Sequence, residues 1–412
     1  MLNNENRYLF KFAWKSIRRN AGRSFFIGFS VSLAVVIGIW VMAFFEGMNS
    51  QIEKAVVKTN IGYFQLQDPL FSKSTDSSHP HEWTTEFEKK LLRPPVKSAS
   101  PELVLDGNIS TPEGAMGLTV LGIDPDLHSR FLPVKKKTLK GEFIGPGDED
   151  SIVIGQELAE VFKFNVGDQL ILNYQDVSGE LRSEILQIKG IYHYNSKGFE
   201  KRFVYVNQRT LQMLYLNQDT QKILFNRVAI MTPDLSAEKE LRSRIAGEDL
   251  ELKTWKNLNP EMAVVMEFHD GMIKFFFLII GVTILMTILT PVRMLWQERF
   301  KELKMMSVIG VGVKKFWKIG FFEIIQMIML SFSLSLILLI SVVGTQSKTG
   351  IDFRFLNDGV AIERAGIKLP GIIYPLLTWE QLVITFFFVI LVLAVSYLWS
   401  IHRTLRKLEG EI

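Results

Sequence analysis

Phe25–Phe45 reads FFIGFSVSLAVVIGIWVMAFF, 21 residues without a charge. A helix needs about 20 predominantly apolar residues to cross a bilayer core about 30 Å thick. A helix at the surface of a soluble protein is apolar on one stripe only. Three further runs share the pattern: Phe275–Val292, Ile324–Gly344 and Leu382–Ile401. Between the first and second lies a polar block of 226 residues, Glu46–Gly271. The expected fold is an α-helical membrane domain of four transmembrane helices plus an α+β extracytoplasmic domain, in two lobes, inserted between helices 1 and 2.

The flanks set the orientation. Lys11, Lys15, Arg18, Arg19 and Arg23 precede the first run, and Arg403, Arg406 and Lys407 follow the fourth. Arg293, Arg299, Lys301, Lys304, Lys314, Lys315 and Lys318 fill the connection between the second and third. Lys and Arg gather on the cytoplasmic side of short loops. Both termini and the 293–320 loop are therefore expected inside, and the 226-residue block outside. The first run starts 25 residues in, and Phe44-Phe45-Glu46-Gly47 offers no small-x-small site, so it reads as a retained helix rather than a cleaved signal. The net charge is only +4, so placement matters more than the sum. With no cysteine, disulfides and thiol chemistry are excluded, and the outer domain must be held by its own core.

Along the chain, 1–24 reads as a cytoplasmic amphipathic segment. Phe10, Ala13, Trp14 and Ile17 keep a helical period, with Lys11, Lys15 and Arg18 on another face. A basic amphipathic helix beside a span suits the headgroup region, and a plain extension of the span is the simpler alternative. Residues 25–58 form the first helix with an outward extension, and 59–260 the outer α+β domain. Within it, 68–84 reads as loop, Thr84–Leu92, Gln156–Phe162 and Asn207–Leu216 as short helices, and Ser236–Ala246 as an amphipathic helix. Strands are expected at Tyr63–Gln67, Leu103–Ile109, Met116–Ile123, Ser151–Ile154, Gln169–Tyr174, Ser183–Tyr192, Arg202–Val206, Asn226–Met231 and Glu251–Trp255. The second helix spans 261–292 with its own outward extension, and Pro291 is expected to kink or end it. The remainder divides into a coupling loop at 293–320, a third helix at 321–344, an outer loop at 345–381, a fourth helix at 382–401 and a tail at 402–412.

Chemistry is sparse. The Walker A pattern Gly-x4-Gly-Lys-Ser/Thr is absent, so any ATPase must be another chain. His79-Pro80-His81 offers two metal ligands in a polar loop, too few to argue a site. Asp148-Glu149-Asp150 reads as a solvated turn, and no local signature supports a hydrolase triad. The spans carry Ser30, Ser32, Thr283, Thr287, Ser331, Ser333 and Ser335, which suit close helix packing. They hold no chain of acids and lysines of the kind an ion-coupled transporter needs. The segment Gln297–Gly312 (QERFKELKMMSVIGVG) stands out: Phe300, Leu303 and Met306 share a helical face, charges cover the rest, and Gly310 and Gly312 stop it. It reads equally as a docking helix or as a solvated basic turn.

At these residues the chain resembles the FtsX/MacB-like permeases of ABC transporters (type VII), which include the lipoprotein-releasing Lol permeases. Ala13–Arg19 (AWKSIRR), Asn60–Gln67 (NIGYFQLQ), Leu121–Asp124 (LGID), Ile152–Asp168 (IVIGQELAEVFKFNVGD) and Glu298–Gly310 (ERFKELKMMSVIG) carry the resemblance across nearly the whole chain. It implies a non-catalytic permease subunit in a bacterial inner membrane, working by mechanotransmission. The implied partners are two copies of an ABC ATPase, a second permease (identical or paralogous), and lipid or lipoprotein cargo, with no nucleic acid. ATP and Mg would sit in the ATPase, and this chain would bind no cofactor. Carried over by position, Glu298, Arg299, Glu302, Leu303, Met306 and Gly310 match the ATPase-coupling segment. Phe45, Met48, Ile52, Met262, Met266 and Phe268, on the outer ends of the first two helices, are candidates for a substrate cavity. Glu302-Leu303-Lys304 replaces the family's Glu-Ile-Gly, and Ile401–Lys407 replaces its usual ending. Tyr174–Ser183 is short and proline-free where carrier-binding Lol permeases have a hook. The resemblance thus implies lipoprotein extraction. The alternative is an FtsX-like regulator of a cell-wall hydrolase or part of an efflux system.

Overall fold

The computed structural model describes residues 4–74, 79–112, 114–132, 137–194, 196–217, 220–298, 300–357, 363–364, 367–368 and 371–410. They form two compact units, one of residues 1–50, 266–355 and 372–412, the other of 51–265 and 356–371.

The first unit is helical. An entry helix α1 (Asn4–Arg19) is followed at once by α2 (Ala21–Val56). At 36 residues, α2 is roughly 54 Å long, well beyond a bilayer core. The expected outward extension is therefore part of one continuous helix. The unit also draws on α11 (Pro260–Glu298), α12 (Phe300–Val308), α13 (Val313–Thr349) and α14 (Trp379–Gly410). By length and composition, Ser24–Val56, Lys314–Thr349 and Trp379–Arg406 are long and apolar enough to cross a membrane. Pro291 does not end its helix: α11 runs on to Glu298. A proline forfeits one backbone hydrogen bond, and a long helix packed on neighbours tolerates that loss.

Small residues set the helix contacts. Ser32 Oγ donates to Gly28 O within α2 and lies 2.7 Å from Ser331 O of α13. A Cβ on Gly28 would meet Leu330 at 3.1 Å. The amphipathic period of α1 holds only in part. Ala13 and Ser16 are buried, and Phe10 meets Phe322 of α13 edge-on. Trp14 is instead 54% exposed.

The second unit is one ten-stranded sheet dressed with short helices, so the two expected lobes share a sheet. Its strands are β1 (Phe64–Gln67), β3 (Ser98–Thr111), β4 (Gly114–Ile123), β5 (Thr138–Gly141), β6 (Ser151–Gly155), β7 (Gln169–Gln175), β8 (Leu181–Tyr192), β9 (Phe203–Asn207), β11 (Arg227–Met231) and β12 (Glu251–Thr254). Their order is β12-β1-β11-β3-β4-β9-β6-β8-β5, with β7 paired to β3 and β8; β2 (His81–Glu82) and β10 (Leu224–Phe225) form a separate pair, and the short helix α10 (Trp255–Leu258) follows β12. β4–β9 and β6–β8 are parallel and the other pairs antiparallel.

Alternation explains why the central strands read as continuous apolar runs. Leu103, Leu105, Ile152, Ile154, Val204 and Val206 enter one core, covered by α6 (Gln156–Phe162) and α8 (Gln208–Leu216). Val104, Val153, Tyr192 and Tyr205 point the other way, against α5 (Pro125–Phe131) and α7 (Lys197–Arg202). A third core joins Phe64, Leu66, Val228 and Ile230 to α4 (Thr85–Leu91) and α9 (Glu238–Arg244). Sheets buried on both faces lose the polar half of the strand pattern. The helix starts of α5 and α4 are capped by side chains. Asp124 accepts from Asp126 N and Leu127 N, and Thr84 from Phe87 N. Contrary to the loop expected at 68–84, Pro69–Ser74 forms a short helix α3, started by Asp68 accepting from Leu70 N and Phe71 N.

A buried polar cluster crosses this sheet. Arg227 Nε donates to Glu102 Oε2 at 2.8 Å, and Ser100 Oγ lies 2.9 Å from His128 Nδ1. His128 Nδ1 is also 3.6 Å from Glu102 Oε1. Burial, and then the Arg227 charge, push the His128 pKa down to about 3. The ring is therefore neutral, and Glu102 forms its ion pair with Arg227 rather than with His128.

Candidate coupling site

The coupling segment folds as the end of α11, a short helix and a glycine stop. Arg299 lies outside the described residues. α12 ends where Gly310 takes a φ of 95°, a left-handed conformation favourable to glycine. Gly312 then leads into α13.

The two faces of α12 do different work. Leu303 is buried, and Phe300 and Met306 pack beside it against a core that includes Trp296, Phe316, Ile319 and Leu405. This is the apolar face the sequence identified, and it points into the helical unit. Glu302 also turns toward the unit: Arg19 Nη2 of α1 donates to its two carboxylate oxygens at 2.7 and 2.8 Å. Between these elements lies a cavity of about 300 Å³, lined by residues including Lys15, Arg19, Trp296, Glu302, Met306 and Phe316. The outward face belongs to residues that sequence reasoning passed over. Met305, Val308 and Ile309 are 63%, 81% and 82% exposed. Their i, i+3, i+4 spacing puts them on one side of the helix end. The signal was present in MMSVIG, but a helical face counted from Phe300 selects Leu303 and Met306 instead. Glu298 is exposed on the last turn of α11.

The six cavity candidates divide between the two units. Ile52 and Met262 belong to the outer unit and are buried at 1% and 0% exposure. Phe45, Met48, Met266 and Phe268 belong to the helical unit, where Phe268 is 66% exposed. Polar and aromatic contacts join α2 to α11 there: Asn49 Nδ2 donates to Asp270 Oδ1 at 3.2 Å, and Asn49 Oδ1 is 2.9 Å from His269 Nδ1. Phe45 packs on His269 and stacks on Phe276. The same stretch of α2 is pinned by the segment that precedes α14. Leu376 N donates to Ala43 O, and Gly47 leaves room for Tyr374 O, which a Cβ would approach to 2.1 Å. Of the histidine pair, His81 Nε2 sits 3.1 Å from Asp68 Oδ2. Among the described residues no group of three or more metal-ligating side chains converges.

A family model described as the MacB-like periplasmic core domain matches residues 25–247. The chain belongs to that family. It is an FtsX/MacB-like permease of the ABC transporter class. Three solved structures are similar to the chain of this MacB-like permease. The periplasmic region of MacB from Actinobacillus actinomycetemcomitans has 13% identity and a TM-score of 0.34, covering 50% of this chain and 94% of that one. The extracellular domain of the noncanonic ABC-type transporter YknZ from Gram-positive bacteria has 17% identity and a TM-score of 0.31, covering 46% and 98%. A domain of a putative permease protein from Porphyromonas gingivalis has 13% identity and a TM-score of 0.27, covering 47% and 88%. No curated protein matches the chain.

Proposed function

We propose that this permease is the membrane subunit of an ABC complex that passes ATP-driven motion from a separate ATPase to its own outer unit, and so extracts lipoprotein or a similar amphiphile from the inner membrane. α11 serves as a further span, both termini are cytoplasmic, and the outer unit is periplasmic. Two permeases, identical or paralogous, pair above two ATPase chains that carry the ATP and Mg. The observation that carries this reading is the exposed apolar knob Met305–Val308–Ile309 at the end of a helix whose other face is locked into the bundle. Large apolar side chains clustered on an exposed helix end mark a docking surface. The chain has no phosphate-binding loop of its own, so the motor is the natural occupant.

Helices carry motion away from the knob. α12 is held to α1 by Arg19–Glu302 and to the bundle by Leu303. α11 spans Pro260–Glu298, and α2 spans Ala21–Val56. The exposed aromatic side chains Phe268 and Phe275 suit acyl chains as cargo. The test is purification of the tagged permease in mild detergent. The reading expects a Walker-motif protein in the complex and lipoprotein among the bound material. A permease that purifies alone, from cells where the same pull-down retains other ABC complexes, overturns the ATPase partnership. A complex with ATPase but no lipidated cargo overturns the extraction role and favours a signalling one.

A further inference from the structure

We propose that the outward face of α1 is a binding site for the anionic headgroups of the surrounding leaflet. The inward face of α1 is occupied: Ala13 and Ser16 are buried, and Gln326 Nε2 of α13 donates to Phe10 O at 3.1 Å. The opposite face carries Arg7, Lys11, Trp14 and Arg18, spaced i, i+4, i+7 and i+11 so that they form one stripe, with Tyr8 and Lys15 beside them. All six are exposed, Tyr8 at 73% and Trp14 at 54%. Four cations interleaved with two amphipathic aromatics are the composition of a surface that lies among phosphate headgroups.

Position in the chain names the occupant. Only Asn20 separates α1 from α2, whose Phe25 and Phe26 are 54% and 61% exposed on a stretch apolar enough to enter hydrocarbon. Arg19 and Phe25 are six residues apart, about 9 Å along a helix, so the charged stripe ends at headgroup depth. An acidic soluble protein would match the charge but not the aromatics. Arg19 stands apart from the stripe because Glu302 holds it. The lipid-facing helix is thereby tied to α12, and the charge of the leaflet bears on the coupling segment. The lipid site itself does not depend on the identity of whatever docks on α12.

The absence of cysteine makes the test direct. Trp14→Cys gives one labelling position for an environment-sensitive dye on the full chain in nanodiscs. Quenching by spin-labelled phosphatidylglycerol is compared with quenching by spin-labelled phosphatidylcholine. The proposal expects a several-fold preference for phosphatidylglycerol, reduced by Lys11→Gln and lost when Arg7, Lys11, Lys15 and Arg18 all become Gln. A dye at Leu181→Cys, on an exposed strand of the outer unit, reports that the variants still fold. Equal quenching by the two lipids, quenching by neither, or a preference that survives loss of all four cations overturns the proposal.

Discussion

Replacing Ile309 with aspartate tests the docking surface, and its size follows from the geometry. Ile309 is 82% exposed and Val308 81%, so neither supports the fold of the permease. Substitutions at such positions change folding stability by about 0.5 kcal/mol or less. In a docked complex the isoleucine side chain would be buried, a gain of about 1.5–3 kcal/mol that aspartate forfeits. Aspartate would also bring a carboxylate into an apolar contact, where an unpaired charge is penalised further. Ile309→Asp is therefore expected to weaken ATPase binding by at least ~2–3 kcal/mol, roughly 30- to 150-fold in Kd. Ile309→Met, which keeps an apolar side chain, should bind nearly as the natural protein does. The assay is titration of purified ATPase against permease in nanodiscs, reading bound fraction and half-saturation of permease-dependent ATP hydrolysis. An Ile309→Asp permease with unchanged half-saturation would refute the assignment of this face, whatever else α12 does.

Other expectations separate the remaining parts of the account. Arg19→Ala removes an ion pair whose partners are 59% and 40% exposed, so melting should shift by less than about 1 kcal/mol. Yet the reading that α1 is tied to α12 requires it to uncouple ATP hydrolysis from cargo release, and unaltered coupling in a reconstituted complex would count against that tie. Gly47→Ala drives a Cβ into Tyr374 O and should cost about 1–3 kcal/mol, seen as a lower unfolding midpoint in detergent. His128 is held neutral with its pKa lowered to about 3, so its contribution to stability is complete above the ordinary histidine value of about 6.5 and is lost as pH falls from there toward 3. By about pH 5 the loss is ~2 kcal/mol. Denaturant midpoints of the full chain should show this slope, and His128→Gln should flatten it. An equal slope in both proteins would mean the buried ring is not the titrating group.

The architecture was legible where it depends on local pattern. Apolar runs disclosed the long helices, alternation with glycine punctuation disclosed most strands of the outer unit, and the short helix Gln156–Phe162 was legible to the residue. The misses were of two kinds. Local ones came from rules that context overrides: α11 does not end at Pro291, and Trp14 faces outward although it falls near the period of Ala13 and Ile17. Long-range ones had no local signal. Arg19 and Glu302 are 283 residues apart, and Asn49 and His269 are 220 apart, so neither contact can be read from periodicity. The single sheet is another case, since parallel pairs such as β4–β9 join strands that are distant in sequence. The candidate coupling segment stood out in the sequence, but the exposed face of its helix did not. A helical wheel shows two apolar sides on α12, and only the positions of α1, α13 and α14 reveal which is already covered.

The central claim is that ATP hydrolysis in a partner chain moves the outer unit, and the measurement that tests it most directly is a distance under turnover. Leu181 and Trp379, one in each unit and 87% and 82% exposed, are the labelling positions, again in a background free of cysteine. Spin labels at Leu181→Cys and Trp379→Cys in the reconstituted complex report the separation by pulsed electron resonance. The account predicts a changed distance distribution when ATP and vanadate trap the motor, and no change when the permease also carries Ile309→Asp. A distribution that stays the same in a complex hydrolysing ATP at full rate would contradict it.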